Sequence, residues 1–359
     1  TDDKALTPRI AMTRYLLGTD DKAKALNLAS ETYNMQPDNP VTLDLLGSAQ
    51  LASGEITNAL STYRKLIDRQ PGQIGPLIKL ATAQIANKDL AGARSNLNSA
   101  LRIQPKAILA QELLMGLEIQ DKRYDQALTV ARQIQSQYPQ SAQGHIYEGQ
   151  IHAARKNFSE ASQAYTQAFR LQPSGTILVQ QLQVDLAMGT PETGEQRITS
   201  WLNKNPGDVT TRGALAESLI KRQQYKFAVE QYLTLDKLAP GNLVVLNNLT
   251  WALTELNDKR ALAYADRACK LAPNDASVLD TCGWAHTRLG NPSQGLGLLK
   301  RALAKAPDSA DTQWHIAYAY HATGDTARAR QELKTLFDRR VPFSAEPQAK
   351  ALYQKLISR

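Results

Sequence analysis

Nine prolines cut this chain into equal lengths, and that spacing limits its fold more than any other feature. Prolines 37, 71, 105, 139 and 173 follow one another at intervals of 34 residues, and prolines 206, 240, 273 and 307 continue at 33, 34, 33 and 34. A second series runs in step. Twelve residues before each proline stands Ala25, Ala59, Ala93, Ala127, Ala161, Gly194, Ala228, Ala261 or Gly295, and Ala329 extends the series at the same spacing. A ring that lacks an N–H ends a helix, and a small side chain lets one helix pack closely on another. Each unit therefore reads as a helix of about a dozen residues, a short turn and a second helix of similar length. Such units bury their apolar faces only by stacking on their neighbours.

The turns between the paired helices carry the expected breakers, Gly18, Gly54, Asn87, Gly189, Asn257, Gly290 and Gly324. A bulky residue then opens many second helices, as Ile56, Leu90, Tyr124, Phe158 and Tyr225 do. Ten repeats starting near residues 6, 40, 74, 108, 142, 176, 209, 243, 276 and 310 fill residues 6–343. Residues 344–359 read as a terminal helix that covers the last apolar face, as a soluble array requires. The sixth repeat, 176–208, departs from the pattern through Gly189, Thr190, Pro191 and Gly194, and through Trp201 where other repeats often have alanine. Thr190 is expected as an N-cap with Pro191 at the first helical position. Altered packing with a bend, and simple divergence of one repeat, both fit this stretch.

Composition narrows the function. Charged residues make up 21 % and hydrophobic ones 42 %, a balance of folded chains and not of disordered ones. The net charge of +8 is diffuse. Half of it lies beyond Lys300, where Arg328, Arg330, Arg339 and Arg340 form a modest basic patch that no aromatic-basic nucleic-acid motif accompanies, so no nucleic-acid partner is expected. No apolar run of about 18 residues occurs, so no membrane-spanning helix is expected in this stretch. The chain opens on Thr1 and not Met, which leaves an upstream segment, and export, open.

Catalytic and metal signatures are absent. No GxSxG, HExxH, GxxxxGK[ST] or helix-opening GxGxxG occurs. The carboxylates are scattered, with no pair placed for acid and base roles. His145 and His152 are two helical turns apart, too far for a compact ligand pair, and His286, His315 and His321 lie on other helices. A non-enzyme without cofactor or metal is expected. The two cysteines, Cys269 and Cys282, fall on neighbouring helices on either side of Pro273. They read either as small buried apolar residues or as a pair close enough to bond in an oxidising compartment.

The large and small residues Leu43, Leu46, Gly47, Ala59, Tyr63 and Pro71 of the second repeat resemble the tetratricopeptide repeat, and the likeness extends over nearly the whole chain. It implies an all-α solenoid of about ten helix-turn-helix repeats wound as a right-handed superhelix, closed by the C-terminal capping helix. The stretch Asn247, Asn248, Leu249 and Trp251, the run from Arg260 to Pro273, and Val278, Leu279, Asp280, Thr281, Gly283 and Trp284 are more particular. They resemble the C-terminal repeats of tetratricopeptide lipoproteins that accompany exosortase (PEP-CTERM) exopolysaccharide systems of Gram-negative bacteria. Cys282 departs from that pattern, where an aliphatic residue is expected. The resemblance implies a periplasmic scaffold between polymer synthesis and export, with a lipid anchor upstream; a cytoplasmic chain stays open.

Three functions fit such an array: a scaffold that grips proteins or peptides, direct contact with a polysaccharide, and a regulatory arm of a larger enzyme such as a glycosyltransferase. The repeat's groove positions on the first helix, as the resemblance implies them, locate the candidate site. In repeats two to six they give small residues, among them Val41, Ser48, Thr82, Gly116, Gln150 and Ala153. In repeats eight to ten they give Asn247, Trp251 and Glu255, then Asp280, Trp284 and Arg288, then Trp314, Tyr318 and His321, with Asn248 beside them. The expectation is that these indoles are exposed for recognition; the competing expectation is that they fill the gaps between repeats.

Overall fold

A computed structural model of the chain describes residues 6–19 and 21–358, and among these there are twenty-one α-helices and no strand. The first helices of the repeats are α1 (Leu6–Gly18), α3 (Pro40–Ala52), α5 (Ile74–Ala86), α7 (Ile108–Gln120), α9 (Gln143–Ala154), α11 (Gly175–Met188), α13 (Val209–Lys221), α15 (Leu243–Glu255), α17 (Ala276–Arg288) and α19 (Ala310–Ala322). The second helices are α2 (Lys22–Met35), α4 (Ile56–Arg69), α6 (Leu90–Ile103), α8 (Tyr124–Gln137), α10 (Phe158–Leu171), α12 (Pro191–Lys204), α14 (Tyr225–Leu238), α16 (Arg260–Leu271), α18 (Pro292–Lys305) and α20 (Thr326–Asp338), and α21 (Glu346–Ile357) follows them. Each of the nine periodic prolines lies two residues beyond the end of a second helix. The chain divides into two compact units between Ile177 and Leu178, inside the divergent sixth repeat.

Close approach explains the small-residue series. Ala25, Ala59, Ala93, Ala127, Ala161, Ala228, Ala261 and Ala329 are all fully buried. The two glycines of the series have no room for a methyl. A Cβ on Gly194 would lie 2.6 Å from the Asp185 carboxylate, and one on Gly295 would lie 2.2 Å from the Thr287 hydroxyl. The pairing of Gly47 with Tyr63 has the same cause, since a Cβ on Gly47 would meet the Tyr63 ring at 2.6 Å. Gly149 and Tyr165 repeat that contact at 2.7 Å. Burial pushes both tyrosine phenols up to about 12.

The hairpin turns place one residue in the left-handed region, and it is not always the breaker expected from sequence. Gly54, Gly189, Asn257, Gly290 and Gly324 hold that position, but so do Lys88, Lys122, Lys156 and Gln223. In the third repeat the strained residue is Lys88, one place after Asn87, which ends the helix with φ −82°. Such a conformation costs an L-residue about 1 kcal/mol or more, and here the packing of the hairpin imposes it.

The sixth repeat corrects a second expectation. Pro191 does open α12, but the Thr190 side chain does not cap it; its hydroxyl turns back to the Asp185 carbonyl at 3.5 Å. Trp201 has a specific role in place of a misfit. Its Nε1 donates to Asp208 Oδ2 at 2.7 Å, and Asp208 caps α13 by accepting from Thr211 N at 3.0 Å. Burial would raise the Asp208 pKa, but the bonds from Thr211 and Trp201 outweigh it and hold the carboxyl below its ordinary value.

Candidate partner-binding cavity

First helices of adjacent repeats are tied by a bond that recurs 35 residues apart, one period plus one. In the first unit Lys79 pairs with Asp44, and the Tyr147 hydroxyl donates to Glu112. In the second unit His315 Nδ1 meets Asp280 Oδ1 at 3.0 Å. The spacing sets the acid on one first helix against the next helix in the stack, so the tie is a property of the repeat. The surroundings are not. Lys79 and Asp44 are about one-third exposed, whereas His315 is only 4 % exposed and stacks on Trp284, with ring centroids 4.2 Å apart and an interplanar angle of 22°.

Around His315 the aromatic side chains form one cluster. Trp251 lies 6.1 Å from the imidazole, and Tyr318 meets Trp284 edge-on at 5.1 Å and Trp314 at 5.6 Å. Trp284 Nε1 donates to Glu255 Oε1 at 3.2 Å, and the Arg288 guanidinium lies 5.3 Å from the Trp284 ring while donating to Asn257 at 3.1 Å. Glu255 is therefore held between an indole N–H and a cation, with Arg288 3.8 Å away. Burial, and then the Glu255 charge, raise the Tyr225 phenol above its ordinary pKa.

These residues wall a cavity of about 490 Å³ within the second unit. Trp251, Glu255, Trp284, Arg288, Trp314, Tyr318 and His321 all line it, so seven of the ten expected residues come together. The other three do not line it. Asn248 donates to the Tyr232 hydroxyl at 3.1 Å and so joins α15 to α14. Asp280 is the partner of His315. Asn247 corresponds to Asp280 one repeat earlier, but its buried Oδ1 has no hydrogen-bond partner among the described residues.

The exposure expected of the indoles needs correction. Trp284 and Trp314 are each 4 % exposed, so they form the cavity's back wall and core; Trp251 and Tyr318 are half-buried and offer ring surface. The cause is the wedge at His315, which fills the space between repeats and takes Trp284 out of solvent. Periodicity could have found His315 through its distance from Asp280, since Asp44 and Lys79 share it. The remaining lining was not legible from groove positions. Gln223 and Tyr225 come from the turn and start of α14, and Gln348, Leu352 and Lys355 from α21, which lies beyond the last repeat. That helix buries Ala349 and Leu356 in one apolar cluster with Trp314, Leu333 and Leu336, so the cap closes the array and walls the cavity together. Among the described residues no cluster of histidine, cysteine and carboxylate side chains is placed to hold a metal, and no helix is long and apolar enough to cross a membrane.

The stacked hairpins, with small residues at every crossing, define a helical repeat protein of the α-solenoid class. Two family models match it: the tetratricopeptide repeat protein 21 C-terminal ARM domain over residues 24–179, and the tetratricopeptide repeat over residues 286–356. The chain contains tetratricopeptide repeats. It is 22 % identical over 261 residues to tetratricopeptide repeat protein 21A of Mus musculus, covering 65 % of this chain and 20 % of that protein. It is 33 % identical over 92 residues to an FK506-binding protein-like protein of Homo sapiens, covering 26 % of each. The chain thus spans only about a fifth to a quarter of these relatives. Among solved structures it is similar to a tetratricopeptide repeat protein from Parabacteroides merdae, with 15 % identity, 69 % of this chain and 98 % of that one covered, and a TM-score of 0.47. It is also similar to the APC/C hetero-tetramer Cut9-Hcn1, with 11 % identity, coverage of 96 % and 95 %, and a TM-score of 0.47.

Proposed function

We propose that this chain is a non-catalytic scaffold whose second unit grips a protein partner through the aromatic cavity. The tetratricopeptide fold is consistent with a protein-interaction scaffold, and one observation carries the site: seven residues from the first helices of three successive repeats converge on a single cavity. Its size suits one or two side chains and not an extended apolar ligand. Half-buried Trp251 and Tyr318 present flat ring surface, and the polar groups around them are unequal. The one carboxylate, Glu255, is already bonded to Trp284 and Arg288, while Lys355 lies exposed on α21. The partner segment this chemistry recognises carries an aromatic side chain flanked by acidic residues.

The setting proposed is bacterial exopolysaccharide synthesis or export, in the periplasm, beneath a lipid anchor upstream. The resemblance of the stretch around Trp251 and Trp284 supports it, as does the bonded Cys269–Cys282 pair, since disulfides persist in oxidising compartments. The ring surface of Trp251 also favours a second reading, direct stacking on a sugar chain. Synthetic peptides with Trp or Phe flanked by Asp or Glu, the same peptides with Lys in place of the acids, and a glycan array test the two together. The proposal expects the acidic peptides to bind and the Lys peptides to fail. Glycan binding without peptide binding replaces it with the second reading.

A further inference from the structure

The cysteine pair lies at the helix on which the cavity depends most. Cys269 of α16 and Cys282 of α17 are bonded, with Cα atoms 6.6 Å apart. Asp280, Trp284 and Arg288 are spaced by four on α17 and share one face. Through that face the helix reaches His315 on α19, Glu255 on α15 and Asn257 in the turn after α15. Cys282 is two residues from Trp284, about 200° around the helix, and it packs on the opposite side with Leu246, Ala265 and Ala268. One face of α17 therefore builds the cavity wall while the other is fastened covalently to the second helix of the preceding repeat. The chain has two cysteines and both are in this bond, so no other covalent link between helices exists.

Resting on the cavity as the partner site, we propose that the Cys269–Cys282 bond is a redox latch on it: the oxidised chain binds its partner, and reduction releases α17 and disables the cavity. Access is one-sided, since Cys282 is 1 % exposed and Cys269 is half-buried. A dithiol reductant attacks through its thiolate at the Cys269 sulfur, forming a mixed disulfide as the Cys282 sulfur leaves and takes a proton. The second thiol of the reductant then displaces Cys269, so that two electrons and two protons pass to the protein and the reductant closes its own disulfide. With the bond gone, α17 is held by packing, by its bonds to Glu255, Asn257 and His315, and by His286, which lies 3.5 Å from Asp266 of α16 and 3.3 Å from Gln294 of α18. Opening of the α16–α17 pair then becomes more frequent by about tenfold to a hundredfold, the scale on which removing such a cross-link acts.

The test compares the full chain, air-oxidised and treated with dithiothreitol, by amide hydrogen exchange and by acrylamide quenching of tryptophan emission. Reduction is expected to speed exchange in α16 and α17 by about tenfold or more, to raise quenching, and to leave α3–α8 unchanged. The variant C269A/C282A should match the reduced chain and ignore the reductant. Exchange in α16 and α17 that agrees within about twofold between the two states overturns the latch. Peptide binding is read separately. Loss of the acidic Trp peptides on reduction supports the latch, and retained binding by the reduced chain contradicts it. An oxidised chain that binds no peptide sinks the partner reading, while the exchange comparison still decides whether the bond holds α17.

Discussion

The first helices of the two units use one geometry to opposite ends. In the first unit Asp44–Lys79 and Glu112–Tyr147 tie neighbouring repeats, and the groove positions near them carry small residues such as Ser48, Thr82 and Gly116. In the second unit the tie is Asp280–His315, and placing imidazole where lysine stands in the first unit turns a partly solvated ion pair into a buried wedge between indoles. The difference teaches that the aromatic cavity in such an array comes from side chains grafted on a constant backbone, not from the repeat itself. It also shows why adjacent aromatic residues at groove positions are ambiguous. The same three tryptophans serve as inter-repeat packing and as cavity wall.

Replacing the wall should break the comparison most. Trp284→Ala removes a buried indole, its bond to Glu255 and its stack on His315, and is expected to cost about 3 to 5 kcal/mol. Hydrogen exchange should rise in α15 to α19 while α3 to α8 keep their protection; a uniform rise through both units would contradict the locality of the array. The first unit offers a milder counterpart. Ala127→Leu or Ala161→Leu overpacks a fully buried crossing and should cost about 1 to 3 kcal/mol, with exchange rising in the neighbouring repeats only.

Much of this was legible beforehand, and the exceptions are physical. Helix pairs, their ends and the close crossings follow from proline and alanine spacing, because those residues act locally on backbone and contact distance. The turn conformation at Lys88 was hidden, since hairpin packing overrides the preference of the residue. Burial of Trp284 was one of two readings the sequence left open, for a related reason. A groove position fixes where a side chain leaves its helix, while the neighbouring repeat, here His315, decides whether solvent reaches it. The α21 wall could not be read from period at all, because Lys355 and Gln348 belong to no repeat.

Smaller effects sharpen the contrast. Asp208→Ala removes the cap of α13 and the acceptor of Trp201, at a cost of about 1 kcal/mol near neutral pH. The folded Asp208 pKa lies below the ordinary 3.8, so its contribution is present above that value and is lost as pH falls through the lower folded one. Urea titrations of wild type and variant should therefore differ at pH 7 and converge in strong acid; an equal gap at both ends would show that the carboxylate's charge is not the stabilising feature. Lys355→Ala should be nearly silent, within about 0.5 kcal/mol, as expected of an exposed side chain. Its effect should appear only as weaker binding of the acidic peptides.

The central claim is that the second unit's aromatic cavity, and not the bland first helices of the first unit, receives the partner. Hydrogen exchange of the oxidised chain with and without a saturating acidic Trp peptide, repeated on Trp251→Ala, tests it most directly. The account predicts protection confined to α15, α17, α19 and α21 in the wild type, and its loss in the variant with the fold intact. Protection on α3, α5, α7 or α9, or unchanged protection in Trp251→Ala, would contradict it.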